Sequence, residues 1–165
     1  MYNTLIVFAS NHGTVERCAR ELFRLLKGKV DLCNLNRRES IPDLGTYDTI
    51  IVSGSIHYGK IQDVIAGFCT NNQQLLADKR LGLFINCLYS GVKAQRQLES
   101  AFPEILTRHA VVQDYFGGEL NDKKMNFWER IITRQIVRSE ELEVMLYKEK
   151  IERFAEVITS HEEEN

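Results

Sequence analysis

Three short stretches of the chain, residues 4–9, 49–52 and 81–87, are almost continuously apolar, rich in Ile, Val, Leu and Phe, and bounded by turn-forming residues. A strand with one wet face alternates between apolar and polar positions, whereas an unbroken run is what a strand covered on both faces requires. Residues 30–35 and 110–116 are weaker runs of the same kind. Between the runs the apolar period lengthens. In residues 15–26, Cys18, Ala19, Leu22, Phe23 and Leu26 fall on one helical face, with Glu16, Arg17, Arg20, Glu21 and Arg24 mostly opposite. Residues 61–76 and 94–106 predict two further helices. Residues 148–159 predict a last one, which sets Ile151, Phe154, Ala155 and Ile158 on a docking face ahead of an acidic tail. Strand and helix alternate without an internal repeat or linker, so the pattern predicts an α/β fold: a five-stranded parallel sheet with helices on both faces.

Composition fits that picture. A chain of 165 residues suits one domain spanning 1–165, and 44% hydrophobic content, 27% charge and two prolines leave no disordered or collagenous bias. The net charge of -2 argues against a nucleic-acid binder and against a strongly acidic carrier. The apolar run that follows Met1-Tyr2-Asn3 has no basic region before it and is far too short for a signal or membrane segment. Cys18, Cys33, Cys69 and Cys87 are scattered, with no C-x-x-C and no metal-ligand spacing, and read as reduced thiols. The expectation is a cytoplasmic protein with no metal.

In open parallel sheets, ligands bind beyond the carboxyl ends of the strands, near the point where strand order reverses, so the loops there are the places to search. After the first strand comes Ser10-Asn11-His12-Gly13-Thr14-Val15. Hydroxyls on Ser10 and Thr14, a close-approaching Gly13 and a helix N-terminus suit an anion without any lysine. The same residues also suit simple capping of the helix. They do not form a Walker-type loop or the G-x-G-x-x-G dinucleotide fingerprint. After the third strand, Gly54-Ser55-Ile56-His57-Tyr58-Gly59 flanks an aromatic ring and a histidine with glycines, which suits a flat ligand or a plain strand-to-helix turn. Asn86-Cys87-Leu88-Tyr89 and Phe116-Gly117-Gly118-Glu119 follow the fourth and fifth strands. All four loops fall at one edge of the predicted sheet, and that coincidence favours a ligand site.

These residues resemble the flavodoxin family, whose phosphate loop reads Thr/Ser-x-Thr-Gly-x-Thr and whose second loop often reads Gly-Ser-x-x-Tyr-Gly. Ser10, Gly13 and the whole of Gly54-Ser55-Ile56-His57-Tyr58-Gly59 match, while His12 and Val15 stand where hydroxyl residues are usual. The resemblance implies a flavodoxin-like three-layer sandwich with strand order 2-1-3-4-5 and FMN as cofactor. It implies phosphate at Ser10, Asn11, His12, Gly13, Thr14 and Val15, ring packing by Ser55, Ile56, His57, Tyr58 and Gly59, and the pyrimidine side at Asn86, Cys87, Leu88 and Tyr89. Gly117, Gly118 and Glu119 would make the remaining wall. A narrower resemblance joins Phe116-Gly117-Gly118-Glu119-Leu120 to Asn126-Phe127-Trp128-Glu129-Arg130-Ile131-Ile132-Thr133-Arg134-Gln135-Ile136. That segment is similar to the menaquinone-dependent protoporphyrinogen oxidases, and implies oxidation of a porphyrinogen with a quinone as acceptor.

In a flavoprotein the redox chemistry belongs to the ring, and the chain supplies stacking, hydrogen bonds and exclusion of water. No residue need act as a nucleophile. His57 is the one candidate for moving protons, since its ordinary pKa lies near neutrality. In residues 127–138, Arg130, Arg134 and Arg138 form a basic stripe beside an apolar face. That helix suits either core packing or contact with an anionic membrane surface, the phase in which quinone resides. Three function classes therefore stand: a flavin-dependent oxidoreductase of the quinone-linked type, an electron carrier between protein partners, and an FMN-free partner-binding module.

Overall fold

The computed structural model describes residues 2–10, 13–37, 40–118 and 146–160. The predicted helix over 127–138, Asn11, His12, Glu119 and the acidic tail lie outside them. In chain order the elements are β1 (Asn3–Phe8), α1 (Thr14–Leu25), β2 (Lys29–Asn34), β3 (Thr49–His57), β4 (Lys60–Ile61), α2 (Asp63–Asn71) and α3 (Gln73–Ala77). There follow β5 (Arg80–Asn86), α4 (Gly91–Ala101), α5 (Glu104–His109), β6 (Val112–Tyr115) and α6 (Lys148–Thr159).

Five strands run parallel in the order β2-β1-β3-β5-β6. The expected order holds for these strands, and the count is corrected by a sixth, the two-residue β4, which pairs antiparallel with β3. Alternate residues of each central strand enter opposite cores, which is why the runs are continuous. Ile6, Phe8, Ile51 and Phe84 face α1 and α6, meeting Val15, Cys18 and Leu22 of the first and Ile151, Phe154 and Ile158 of the second. Leu5, Val7, Ile50, Val52, Leu81, Leu83 and Ile85 face α2 to α5, where Ile65, Phe68, Leu76, Leu98 and Leu106 close the other core.

Aromatic packing docks α6. Phe84 and Phe116 stack at 4.5 Å, and Phe154 sets its ring edge-on to both, at 5.8 and 5.4 Å. Gly82 makes room for it, since a Cβ there would lie 2.8 Å from Phe154 Cζ. Arg80 donates to the carbonyls of Ile158 and Val157 at 2.6 and 2.8 Å, tying the end of α6 to β5; the Val157 carbonyl also accepts from the Ser160 hydroxyl at 2.8 Å.

Four expectations are corrected. The helix over 61–76 breaks at Asn72, whose φ of -122° is not helical and whose Nδ2 donates back to the Phe68 carbonyl at 2.8 Å. The helix over 94–106 breaks at Phe102-Pro103, because proline disfavours a helical residue before it; Phe102 is extended at φ -118°, ψ 154°. Phe23, expected on the apolar face of α1, is 44% exposed. The third strand, expected to end at Val52, continues to His57.

Candidate functional site

The predicted loops do converge at the carboxyl edge of the sheet, and the register shows how. β1 pairs with β3 from Thr4–Thr49 to Val7–Val52, and there the paired register ends. β3 runs on beside β5 as far as Ser55–Asn86. The chain order reverses between β1 and β3, so the crevice in which ligands of such sheets lie opens where these two strands part.

Three side-chain amides hold the gaps at this edge. Between β2 and β1, Asn34 Oδ1 accepts from the Ser10 N–H at 3.3 Å and from the Asn36 N–H at 3.1 Å. Between β1 and β3, Gln62 Nε2 donates to the Ala9 carbonyl at 2.7 Å while its Oε1 accepts from the Ser55 N–H at 2.8 Å. Between β5 and β6, Asn86 Nδ2 donates to the Gly117 carbonyl at 2.8 Å and approaches Cys18 Sγ at 3.4 Å. A carboxamide offers one donor side and one acceptor side, as a peptide does; among the described residues Gln62 uses both and so replaces a rung of the ladder, whereas Asn34 bridges through its oxygen and Asn86 through its nitrogen.

The loop after β1 turns sharply into α1. Gly13 is left-handed at φ 85° and its N–H donates to Ser10 Oγ at 2.9 Å; its carbonyl accepts the first bond of the helix, from the Arg17 N–H at 2.9 Å. Gly13 at the N-cap position has no side chain, and among the described residues no side chain caps α1. The N–H groups of its first turn and their positive dipole end are therefore open to an anion at the crevice. Ser10 is half-buried, and Thr14 and Val15 are buried. This donor set fits a phosphate group.

The stretch after β3 is not an open loop. Ile56 and His57 pair antiparallel with Ile61 and Lys60, which makes Tyr58-Gly59 the two-residue turn of a hairpin. Both turn residues have positive φ, 50° and 78°, as hairpins of the I′ type require. Left-handed backbone costs a side-chain-bearing residue about 1–2 kcal/mol, and Tyr58 bears that strain while holding its ring 71% exposed. Ser55 and Ile56 are half-buried, whereas His57 and Gly59 are exposed.

Asn86 and Cys87 lie beneath the surface, with Leu88 and Tyr89 half-buried above them. Asn86 Oδ1 is buried without a partner among the described residues. Burial pushes the Cys87 thiol up to about 11, only partly offset by its bond to the Tyr89 carbonyl and by Lys150, so it stays protonated at neutral pH. Gly117 is left-handed, and Gly118 passes so close to β5 that a Cβ would lie 2.9 Å from the Cys87 carbonyl oxygen. That contact explains why the Gly117-Gly118 turn tolerates no side chain at its second position.

Sequence reasoning missed Asn34 and Gln62. A signal for Gln62 was present in Gly54, since glycine inside a strand marks a close approach by another group. A Cβ on Gly54 would lie 2.5 Å from Gln62 Oε1.

With this geometry in view, the sequence model of the flavodoxin domain matches residues 5–145, and the chain belongs to that family. No curated protein sequence matches it significantly. Among solved structures it is similar to flavodoxin 1 of Bacillus cereus, at 15% identity over 96% of this chain and 98% of that one, with a TM-score of 0.59. It is also similar to a mutant flavodoxin of Fusobacterium nucleatum bound to flavin mononucleotide, at 14% identity over 98% and 97% and a TM-score of 0.52. Against the rubredoxin:oxygen oxidoreductase of Desulfovibrio gigas the identity is 17% and the TM-score 0.58, and the chain covers 35% of that longer protein while 96% of its own length is matched. At these identities the likeness is one of fold. No helix among the described residues is long and apolar enough to cross a membrane.

Proposed function

We propose that this chain is an FMN-binding redox protein that passes electrons to a redox partner. The observation that supports the reading is the N-terminus of α1, which no side chain caps among the described residues, with Ser10 and left-handed Gly13 at the point where β1 and β3 part. When bound, FMN supplies the electron chemistry through its ring.

The residues of the chain divide the remaining work. Ser10, Gly13, Thr14 and Val15 hold the phosphate by hydroxyl and backbone donors, with Asn11 and His12 in the same loop. The strained turn presents the Tyr58 ring as a stacking surface. Asn86, Cys87, Leu88 and Tyr89 make the pyrimidine side, and Gly117 and Gly118, with Glu119 next in sequence, make the remaining wall. His57 stands exposed at the end of β3, where it can exchange protons with solvent.

Flavin-stripped protein titrated with FMN and with riboflavin, followed by quenching of flavin fluorescence, tests this reading. FMN binds tightly and riboflavin weakly if the α1 loop holds a phosphate; binding of neither refutes it and leaves a partner-binding module. A quinone-linked porphyrinogen oxidation is a finer reading. It rests on residues 116–136, of which 119–136 lie outside the described structure. Anaerobic reduction of menadione by protoporphyrinogen in the presence of the FMN-loaded protein is its test, and absence of turnover leaves the carrier reading alone. Contact of the helix predicted over 127–138 with membranes belongs to that finer reading and stands or falls with vesicle binding.

A further inference from the structure

We infer that Gln62 is a positioning residue that couples the phosphate loop to the Tyr58 hairpin, so that filling one half of the crevice favours the working geometry of the other. The inference rests on the FMN reading above. Gln62 stands immediately before α2, and its carbonyl accepts from the N–H groups of Ile65 and Ala66 at 3.0 and 3.1 Å, so its backbone is fixed by the helix. Its side chain does not cap that helix. It turns back instead and spans the crevice between the Ala9 carbonyl and the Ser55 N–H, at 2.7 and 2.8 Å.

Ala9 is joined directly to Ser10, the first residue of the phosphate loop, and Ser55 lies three residues before Tyr58. A displacement of either loop must therefore stretch or turn one rigid amide plane whose other edge is bonded to the second loop. The register makes this link necessary, since no paired residues join β1 to β3 beyond Val7–Val52. The glycine at position 54 fits the same device, because any side chain there would occupy the position of Gln62 Oε1. Two sites joined by such an element share a coupling free energy, which double-mutant cycles measure.

The experiment measures FMN dissociation constants for Ser10→Ala, Tyr58→Ala and the double variant, each with Gln62 intact and in a Gln62→Met background. Methionine keeps the length of the side chain and removes both bonds. With Gln62 present, the combined loss departs from the product of the single losses by on the order of five-fold. With Met it agrees with that product to within about two-fold. Gln62→Glu serves as a second, near-isosteric variant: its carboxylate still accepts from Ser55 but cannot donate to Ala9 at neutral pH, and the coupling is lost there too. In the cofactor-free protein, amide exchange at Ser55 speeds up in Gln62→Met and stays slow in Gln62→Glu. Equal coupling in all three backgrounds, or additivity when Gln62 is present, overturns the inference while leaving FMN binding standing. Failure of the unmodified protein to bind FMN overturns the proposed function and this inference with it.

Discussion

Gly54→Ala isolates the role of Gln62 in the fold itself. Gly54 is buried in β3 and its backbone lies outside the left-handed region, so alanine carries no conformational penalty there. Its Cβ, however, would sit 2.5 Å from Gln62 Oε1 and 3.0 and 3.1 Å from Cγ1 and Cδ1 of Ile61. A glutamine side chain can swing aside, but doing so breaks its bonds to Ser55 and Ala9. Two such bonds are worth about 1–3 kcal/mol together. The squeeze on Ile61 adds part of an overpacking cost of about 1–3 kcal/mol, and the stiffer unfolded chain returns about 0.4–1 kcal/mol. The net expectation is a loss of about 1–3 kcal/mol, most of it routed through the amide. Gln62→Ala removes that amide in advance, so adding Gly54→Ala to it costs less than about 1 kcal/mol. Urea unfolding of the four flavin-free proteins reads the difference. Gly59→Ala is the control: no atom lies within 4 Å of its Cβ, so its cost of about 1–2 kcal/mol comes from φ 78° alone and is the same in both backgrounds. If the Gly54→Ala and Gln62→Ala losses add to within about 0.5 kcal/mol, the amide does not hold the crevice and the reasoning fails.

Phe154→Ala removes a fully buried ring that meets Phe84 and Phe116 edge-on, and lowers stability by about 3–5 kcal/mol in denaturant unfolding. Tyr58→Asn keeps or raises stability, because asparagine tolerates the left-handed turn and the ring is exposed, yet it changes flavin affinity or potential; no change in either removes Tyr58 from the site. At high pH the fold weakens. Burial raises Cys69 from 9.0 to about 12 and Cys87 from 9.0 to about 11, and burial with the Asp31 hydrogen bond raises Tyr47 from 10.0 to about 12. The folded chain thus retains protons that the unfolded chain releases, so this stability is full below pH 9 and is lost as pH rises toward 12. Unfolding across that range shows the decline, and Tyr47→Phe flattens the part above pH 10.

The sheet was legible because burial on both faces leaves a signal that no neighbour can disguise: every residue of Leu5 to Ala9 and of Leu81 to Ile85 except Gly82 is apolar. The helix breaks were not read from periodicity, since apolar spacing carries across Asn72 and across Phe102-Pro103 when both halves pack on the same sheet face. Proline at 103 was the visible warning. The hairpin escaped because β4 has only two residues, too few for any period, and because Gly54 and Gly59 suited a ligand-enclosing loop or a plain strand-to-helix turn. One glycine instead clears space for Gln62 and the other completes a tight turn. Phe23 fell just past the edge of the helical stripe, where one step in angle separates burial from exposure. The site's location was readable from topology, whereas its internal bracing was not: Asn34 and Gln62 act through neighbours distant in sequence.

That bracing has a chemical logic. The crevice must open where β1 and β3 part, so backbone groups at its floor lose their ladder partners, and buried unpaired peptide groups are costly. Charged side chains could satisfy them, but a carboxylate beneath a phosphate loop would repel the anion, and an ammonium offers no acceptor for an N–H. Hydroxyls are too short to span two strands. A carboxamide is neutral, does not titrate and carries both a donor and an acceptor at one rigid end. Asn34, Gln62 and Asn86 occupy three of the four gaps between parallel strands at this edge, and the fourth, between β3 and β5, keeps its own pairing as far as Ser55–Asn86. The edge is therefore held by groups whose bonds do not change with pH and whose charge does not compete with the ligand. The N-terminus of α1, which no side chain caps among the described residues, is left to set the electrostatics of the crevice.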